Sequence, residues 1–367
     1  MGCPCAFILA APTAITASLG NAARNGVMIK SGAFLEELGR IDAVAFDKTG
    51  TLTTGKPVLT DIIPANGLSP EYVLHLAASA EKYSEHPLAR AIQESAKARG
   101  CSPAEPDSFN LIPGAGVESL VEGKKVFVGT PMGLDPGDEP AQAPQDSAKT
   151  RLVVKVDDRI AGWLYISDEL RQGIREVVVP ELNRLGIAKI LLLTGDKQSV
   201  AAHLAQASGI REYEPGLLPE QKLQRIKDLQ RQGHKVAMVG DGINDAPSLA
   251  AADIGIAMGA MGADVAVESA DIALMADDLT RLPFALELGR ATLKTINFNI
   301  LFAIAFNLTA ILFSSLGWFT PITGALAHNI GSVLVVLNSA RLIRRRFNIK
   351  ANTGVATVPA VPLASEG

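Results

Sequence analysis

The chain has 367 residues, enough for two or three domains. Its formal charge of −4 is nearly balanced and no basic stripe with interleaved aromatics occurs, which excludes nucleic acid as the expected partner. Three cysteines, Cys3, Cys5 and Cys101, do not make a disulfide framework, which excludes a small cystine-stapled scaffold.

In chain order, the first segment, 2–19, is apolar and rich in small residues but interrupted by Pro4 and Pro12. It lacks the basic start and cleavage site of a secretory signal and, at about fifteen residues past Pro4, is too short to span a bilayer unaided. It reads as the back half of a broken transmembrane helix. Next comes the apolar run Ile41–Phe46, which leads straight into Asp47-Lys48-Thr49-Gly50-Thr51-Leu52-Thr53. A carboxylate at the end of a buried strand, followed by a cation, a hydroxyl and a glycine turn, suits covalent phosphoryl transfer: Asp47 attacks, while Lys48 and Thr49 support the phosphoryl oxygens. The same letters are also good turn chemistry.

Two further runs end in polar, glycine-bearing loops. Ile190–Leu193 precedes Thr194-Gly195-Asp196, and Val236–Val239 precedes Gly240-Asp241-Gly242-Ile243-Asn244-Asp245. Unbroken apolar runs fit strands covered on both faces, as in a parallel sheet, with helices expected at 198–208 and 219–232. Ligands of such sheets bind outside the carboxyl ends of the strands, so the three loops converge on one crevice. There Thr194 offers a hydroxyl, Asp196 orients its loop, Asp47, Thr49 and Asp241 hold Mg²⁺ with Asn244 and Asp245 close behind, and Lys222 supplies a point charge. Nearly 150 residues separate the first two loops, far more than one crossover needs, so a domain is inserted between Pro57 and Trp163. It starts with helices around 70–98 and continues with strands at 124–128, 152–156 and 160–166. A Pro/Gly/Asp/Gln-rich loop is expected at 135–148.

Residues 296–316 and 322–337 are mostly apolar and flank Gly317-Trp318-Phe319-Thr320-Pro321, a turn with aromatics suited to a membrane interface. Arg290 and Lys294 precede this hairpin, and Arg341, Arg344, Arg345 and Arg346 follow it, so both ends are expected in the cytoplasm. The weakly charged tail, 348–367, is expected to be unstructured.

In the set D-K-T-G-T-L-T, T-G-D and G-D-G-I-N-D-A-P, the chain resembles the P-type ATPases, with all three signatures unsubstituted across a resemblance of roughly 1–345. This implies an α/β haloacid-dehalogenase-like phosphorylation domain with a parallel sheet, an inserted α+β nucleotide-binding domain and α-helical transmembrane segments. The boundaries expected are 1–25 for the partial membrane helix, 26–57 and 164–290 for phosphorylation, 58–163 for nucleotide, 291–345 for the hairpin and 346–367 for the tail. The fold's soluble phosphatases carry a second aspartate two places after the nucleophile; Thr49 stands there, which slows water attack on an acyl phosphate.

Ser84-Glu85-His86-Pro87 resembles the adenine-pocket run of the heavy-metal subgroup, and with it Glu81, His86, Gly114 and Gly116 are implied nucleotide contacts. Cys3-Pro4-Cys5, followed by Ala11-Pro12-Thr13, resembles that subgroup's transport motif, in which two thiolates present soft ligands. His328, polar at membrane depth, is a further metal-ligand candidate. Here the resemblance loosens, since Phe306-Asn307 and His328-Asn329 match neither the copper, the zinc nor the cobalt pumps, and the asparagines equally serve as interhelical glue. The implied cofactors are ATP and Mg²⁺, and the implied cargo is zinc, cadmium, copper or cobalt. The expected location is multi-pass in the plasma (inner) membrane with catalytic domains in the cytoplasm. The family's actuator loop T-G-E does not occur, so the chain is expected to be the C-terminal part of a pump, with the missing N-terminal part as a partner. A soluble phosphatase of the same fold and a non-catalytic metal-binding membrane fragment remain the alternatives.

Overall fold

A computed structural model describes residues 5–65, 67–131, 149–242, 245–259, 270–318 and 320–346. Cys3, Asn244, the whole of the expected loop at 135–148 and the tail at 348–367 lie outside them. The chain begins with α1 (Cys5–Arg24), β1 (Val27–Ile29), α2 (Gly32–Leu38) and β2 (Ala43–Asp47). It continues through β3 (Thr53–Pro64), α3 (Pro70–Ala80), α4 (Pro87–Ala98), β4 (Ser108–Ile112), β5 (Gly116–Val121), β6 (Lys124–Gly129), β7 (Thr150–Val156) and β8 (Arg159–Leu170). Then follow α5 (Val179–Arg184), β9 (Lys189–Leu193), α6 (Gln198–Ser208), β10 (Glu212–Glu214), α7 (Pro219–Arg231), β11 (Val236–Gly240), α8 (Ala246–Ala251), β12 (Ile254–Gly259) and β13 (Ile272–Met275). Two long helices, α9 (Arg281–Ser315) and α10 (Pro321–Ala340), close the described chain. The residues form two compact units, with 53–170 and 197–204 making the smaller one.

The larger unit is built on a seven-stranded sheet of order β1-β13-β12-β11-β2-β9-β10, parallel throughout except where β1 meets β13. β2, β11 and β12 are buried at every residue, as strands covered on both faces must be. On one face Ala43, Ala45, Leu191, Leu193, Val236 and Met238 pack under Ile226 and Leu229 of α7 and Leu249 of α8. The register pairs Phe46 with Val239 and Asp47 with Leu193, so all three functional loops leave the same edge side by side.

The smaller unit is a six-stranded antiparallel sheet, β3-β8-β7-β6-β5-β4, with α3 and α4 on its core. The expected helical stretch at 70–98 is two helices, because Pro87 restarts the chain as the first residue of α4. The expected strands at 152–156 and 160–166 are longer, extending over β7 and β8.

Among the described residues, three helices are long and apolar enough to cross a membrane: 6–24, 281–315 and 322–344. α1 continues through Pro12 rather than ending there. Next to it the Thr13 hydroxyl hydrogen-bonds Leu9 O (2.6 Å) and Ser339 Oγ (3.0 Å), the second contact joining α1 to α10. α9 starts well before the apolar stretch at 296–316, because Leu282, Leu286 and Gly289 give its first turns a buried stripe of their own. At 35 residues it is a rod of about 52 Å. Polar side chains tie the three helices together: Ser18 with Thr292 (2.7 Å), Asn299 donating to Ser339 (2.9 Å) and Asn338 donating to Asn299 (2.7 Å). Asn21 donates to the Leu342 and Arg345 carbonyls at 2.8 and 3.0 Å, fixing the end of α10 to α1.

α2 and α9 meet backbone to backbone. A Cβ at Gly289 would lie 2.8 Å from Gly39 N, and one at Gly39 would lie 2.7 Å from Gly289 O. Gly289→Val is therefore expected to lower unfolding stability by about 1–3 kcal/mol, the range for an overpacked contact. Chemical unfolding of the detergent-solubilised chain, followed by tryptophan fluorescence, checks this.

Candidate active site

β2 ends on Asp47, a residue only 5% exposed. The turn behind it is shaped by Gly50 at φ 69°, a left-handed position where a side chain would also meet Asp241 Cβ and Oδ2 at 3.0 Å. Turning the chain here lets the Thr49 backbone N–H donate to Asp47 Oδ2 (2.9 Å). From α7 the Lys222 ammonium, buried like its partners, donates to Asp47 Oδ1 and to Asp245 Oδ1 (2.8 Å). Pro219 as first residue and the Gln221 side chain on Leu218 N–H start α7 so that Lys222 falls in its first turn.

Two carboxylates thus share one ammonium out of water. Burial above all, then the nearby Asp245 charge, push the Asp47 carboxyl up to about 7, against the opposing pull of Lys222. Burial disfavours the Lys222 charge too, but the carboxylates more than offset it and raise its pKa.

The second loop supplies Thr194, buried, whose hydroxyl accepts from the Asp196 N–H (3.2 Å). The chain after β10 holds this loop: Gly216 N–H donates to Asp196 O (2.7 Å) and Leu217 N–H to Thr194 O (3.0 Å). Asp196 forms an ion pair with Lys48 (2.7 Å), so the cation beside the nucleophile is steered by the second loop. Gly195, between Thr194 and Asp196 in the chain, is close to the segment after β10, a Cβ there meeting Leu217 O at 3.3 Å.

The acidic end of the crevice fits Mg²⁺. Asp245 Oδ2 is buried without a hydrogen-bond partner among the described residues, and Asp241 stands over Gly50. No group of three or more His, Cys, Asp or Glu among the described residues makes an all-protein metal cage. The Asp241 and Asp245 carboxylates match an ion that is held through one or two carboxylates.

The smaller unit carries the other sequence candidates. Glu81 caps α3, its Oε2 buried with no partner among the described residues, and burial raises its carboxyl pKa against a hydrogen bond from Ser84. His86 caps α4: its Nδ1 accepts from the Leu88 N–H (3.2 Å), leaving Nε2 as the nitrogen for a ligand. Gly114 has open space where a side chain would project, whereas a Cβ at Gly116 would lie 2.2 Å from Val128 O. Gly116 is thus required by the β5–β6 approach itself. Among the membrane helices, His328 and Asn307 line a cavity of about 110 Å³ with Ala6, Phe7, Ala303 and Phe306. Cys5 opens α1 next to that lining. Sequence reasoning missed Arg171, whose guanidinium holds the carbonyls behind Asp47; it stands in no motif and its partners are backbone atoms.

The pH dependence of stability follows. An Asp47 pKa of about 7 in the fold, against 3.8 in the unfolded chain, means the folded state keeps a proton the unfolded state gives up, so stability falls as pH rises through that window. Asp47→Asn escapes this loss. Its melting temperature relative to the parent, measured without magnesium, is expected to climb from pH 4 to pH 7 and level off above.

Residues 41–253 match the family model described as haloacid dehalogenase-like hydrolase. Along 95% of its length the chain is 43% identical to a zinc-exporting P-type ATPase of Mycobacterium marinum and to a manganese-exporting P-type ATPase of Mycobacterium leprae. It covers 48% and 49% of those two proteins, and so spans about half the length of the curated relatives it matches. Among solved structures, a zinc-transporting PIB-type ATPase in an E2.Pi state matches with a TM-score of 0.85 and 41% identity over 93% of this chain and 56% of the other. The catalytic domain of the CPx-ATPase CopB-B matches with a TM-score of 0.58 and 33% identity over 72% of this chain and 97% of the other. The chain belongs to the haloacid dehalogenase-like hydrolases and, within them, to the heavy-metal P-type ATPases.

Proposed function

We propose that this chain carries the energy-input chemistry of a metal-exporting ATPase: it binds ATP through 58–163 and becomes phosphorylated on Asp47. The observation that carries the proposal is the buried Asp47 carboxylate at the edge of a parallel sheet, sharing the Lys222 ammonium with Asp245. An Asp47 oxygen attacks the γ-phosphorus of ATP; the new O–P bond forms as the bond to the β–γ bridging oxygen breaks, giving an aspartyl phosphate and ADP. Lys222 keeps the nucleophile anionic and oriented, and once Asp47 is esterified its ammonium faces the new phosphoryl oxygens. Lys48, steered by Asp196, and the Thr194 hydroxyl supply further donors. Asp241 and Asp245 hold Mg²⁺, which offsets phosphoryl charge when bound. Thr49, at the position where the fold's phosphatases carry an acid, leaves water without a general base and prolongs the phosphoenzyme.

The cargo is a divalent transition metal. Relatives named for zinc and for manganese are equally similar to this chain, and the His328–Asn307 cavity offers imidazole and amide donors that suit both ions. The basic residues at 341–346 support a cytoplasmic location for the catalytic units. Glu81, His86 and Gly114 contact the nucleotide.

Incubation of the full chain with γ-labelled ATP and Mg²⁺ is expected to give a hydroxylamine-sensitive phosphoprotein. Asp47→Asn abolishes it and Lys222→Met lowers its rate about 100-fold or more; label that survives Asp47→Asn refutes the assignment. Equilibrium binding of Zn²⁺ and Mn²⁺ tests the cargo: His328→Ala is expected to weaken it about tenfold, a loss of about 1.4 kcal/mol. Unchanged binding removes His328 from the site.

A further inference from the structure

The phosphorylation loop is held from behind by one side chain. The Arg171 guanidinium donates four hydrogen bonds: Nε to Thr51 O (2.9 Å), one terminal nitrogen to both Gly50 O (2.8 Å) and Asp277 Oδ2 (3.0 Å), and the other to Asp277 O (2.9 Å). Its own backbone N–H donates to Leu52 O (2.8 Å). Three successive carbonyls of the loop therefore end on one residue. The loop has little else to fix it on this side: the Thr51 hydroxyl is buried without a hydrogen-bond partner among the described residues.

From these contacts we infer that Arg171 is a positioning residue for phosphoryl transfer, and that Asp277 is the group that holds Arg171 in place. The inference rests on the reading of Asp47 as the phosphorylated residue. Its reason is peptide geometry. A trans peptide directs its C=O and the next N–H to opposite sides, so turning the Gly50 and Thr51 carbonyls toward Arg171 turns the Thr51 and Leu52 N–H groups away from it. The orientation of each peptide unit following Asp47 is thereby set by a planar fork with fixed donor spacing, which a lysine cannot reproduce.

Asp277 shows that the clamp is built for this purpose. Both Ala276 and Asp277 sit at φ 60°, a left-handed conformation unusual for residues with a side chain. This turn after β13 brings the Asp277 carbonyl and carboxylate to bear on the same guanidinium. Side chains held in such conformations persist where surrounding contacts over-determine them, and cluster at functional sites. The carboxylate also balances the Arg171 charge, so the clamp orients the loop without leaving an unpaired cation next to the nucleophile.

Two variants of the full chain test this, Arg171→Gln and Asp277→Gly, the second keeping a residue at home at φ 60°. Both are expected to slow labelling from γ-labelled ATP about 10- to 100-fold per folded molecule. The affinity for a non-hydrolysable ATP analogue is expected to stay within about twofold, and hydrogen exchange of the peptide spanning 47–52 to accelerate. Gly289→Val, destabilised elsewhere, serves as the control and is expected to label at the parent rate per folded molecule. Parent-like labelling in both variants overturns the inference, as does unchanged exchange at 47–52, or analogue affinity falling in step with labelling. Failure of the parent itself to take up label overturns the Asp47 reading instead, a result separate from any difference between parent and variants.

Discussion

One ammonium between two carboxylates organises the larger unit. Lys222 bridges Asp47, at the end of β2, and Asp245, just past β11, so the two adjacent strands are joined through α7 at the edge where chemistry is done. Out of water, neither carboxylate is tolerable alone, and neither is the ammonium; removing one member strands a charge. The arrangement leaves one more negative group than positive once Asp47 ionises. Burial above all, and then that excess, push the Asp47 carboxyl up to about 7. A nucleophile whose carboxyl is pushed up in this way is suited to react when a ligand brings in compensating positive charge.

The other contacts at the site serve this triad. Lys48 reaches Asp196, so the first and second loops are joined by an ion pair, while Gly50 brings the Asp241 loop up against the first. Each loop belongs to a different strand, and the parallel register is what aligns their exits. The membrane helices follow another rule. With no water to compete and no hydrophobic drive between apolar helices, they are joined by small residues and by Ser, Thr and Asn side chains that find one another across the bundle.

Much of this was legible in the residues. Unbroken apolar runs ending at Asp47, Thr194 and Gly240 gave parallel strands and a common edge, because burial on both faces leaves no alternation to misread. The gap between the first two loops gave the insertion. What stayed hidden depends on contacts far apart in sequence. β1 is three residues long, too short for any periodicity, and exists only because β13 presents an edge. The early start of α9 was masked by charged residues on its open face, which lower average hydropathy without disturbing the buried stripe. Arg171 bonds to carbonyls, which every residue has, so no letter marks its partners. Gly116 and His86 have structural duties that letters do not reveal, one as a strand contact and the other as a helix cap.

The pairing of Val27 with Leu274 has a consequence for how the molecule assembles. Its two strands are the first and the last of the described strands in sequence, one following the first apolar helix and the other preceding α9. Contacts of such long sequence separation are slow to form, because the chain between must already be ordered for closure to be favourable. Until β1 docks, β13 is a bare strand edge open to pairing with other chains. During synthesis, a helix destined for the bilayer must therefore wait, with its short strand attached, while the rest of the sheet is made. Closing that edge is then the step that ends both the growth of the sheet and its exposure to aggregation.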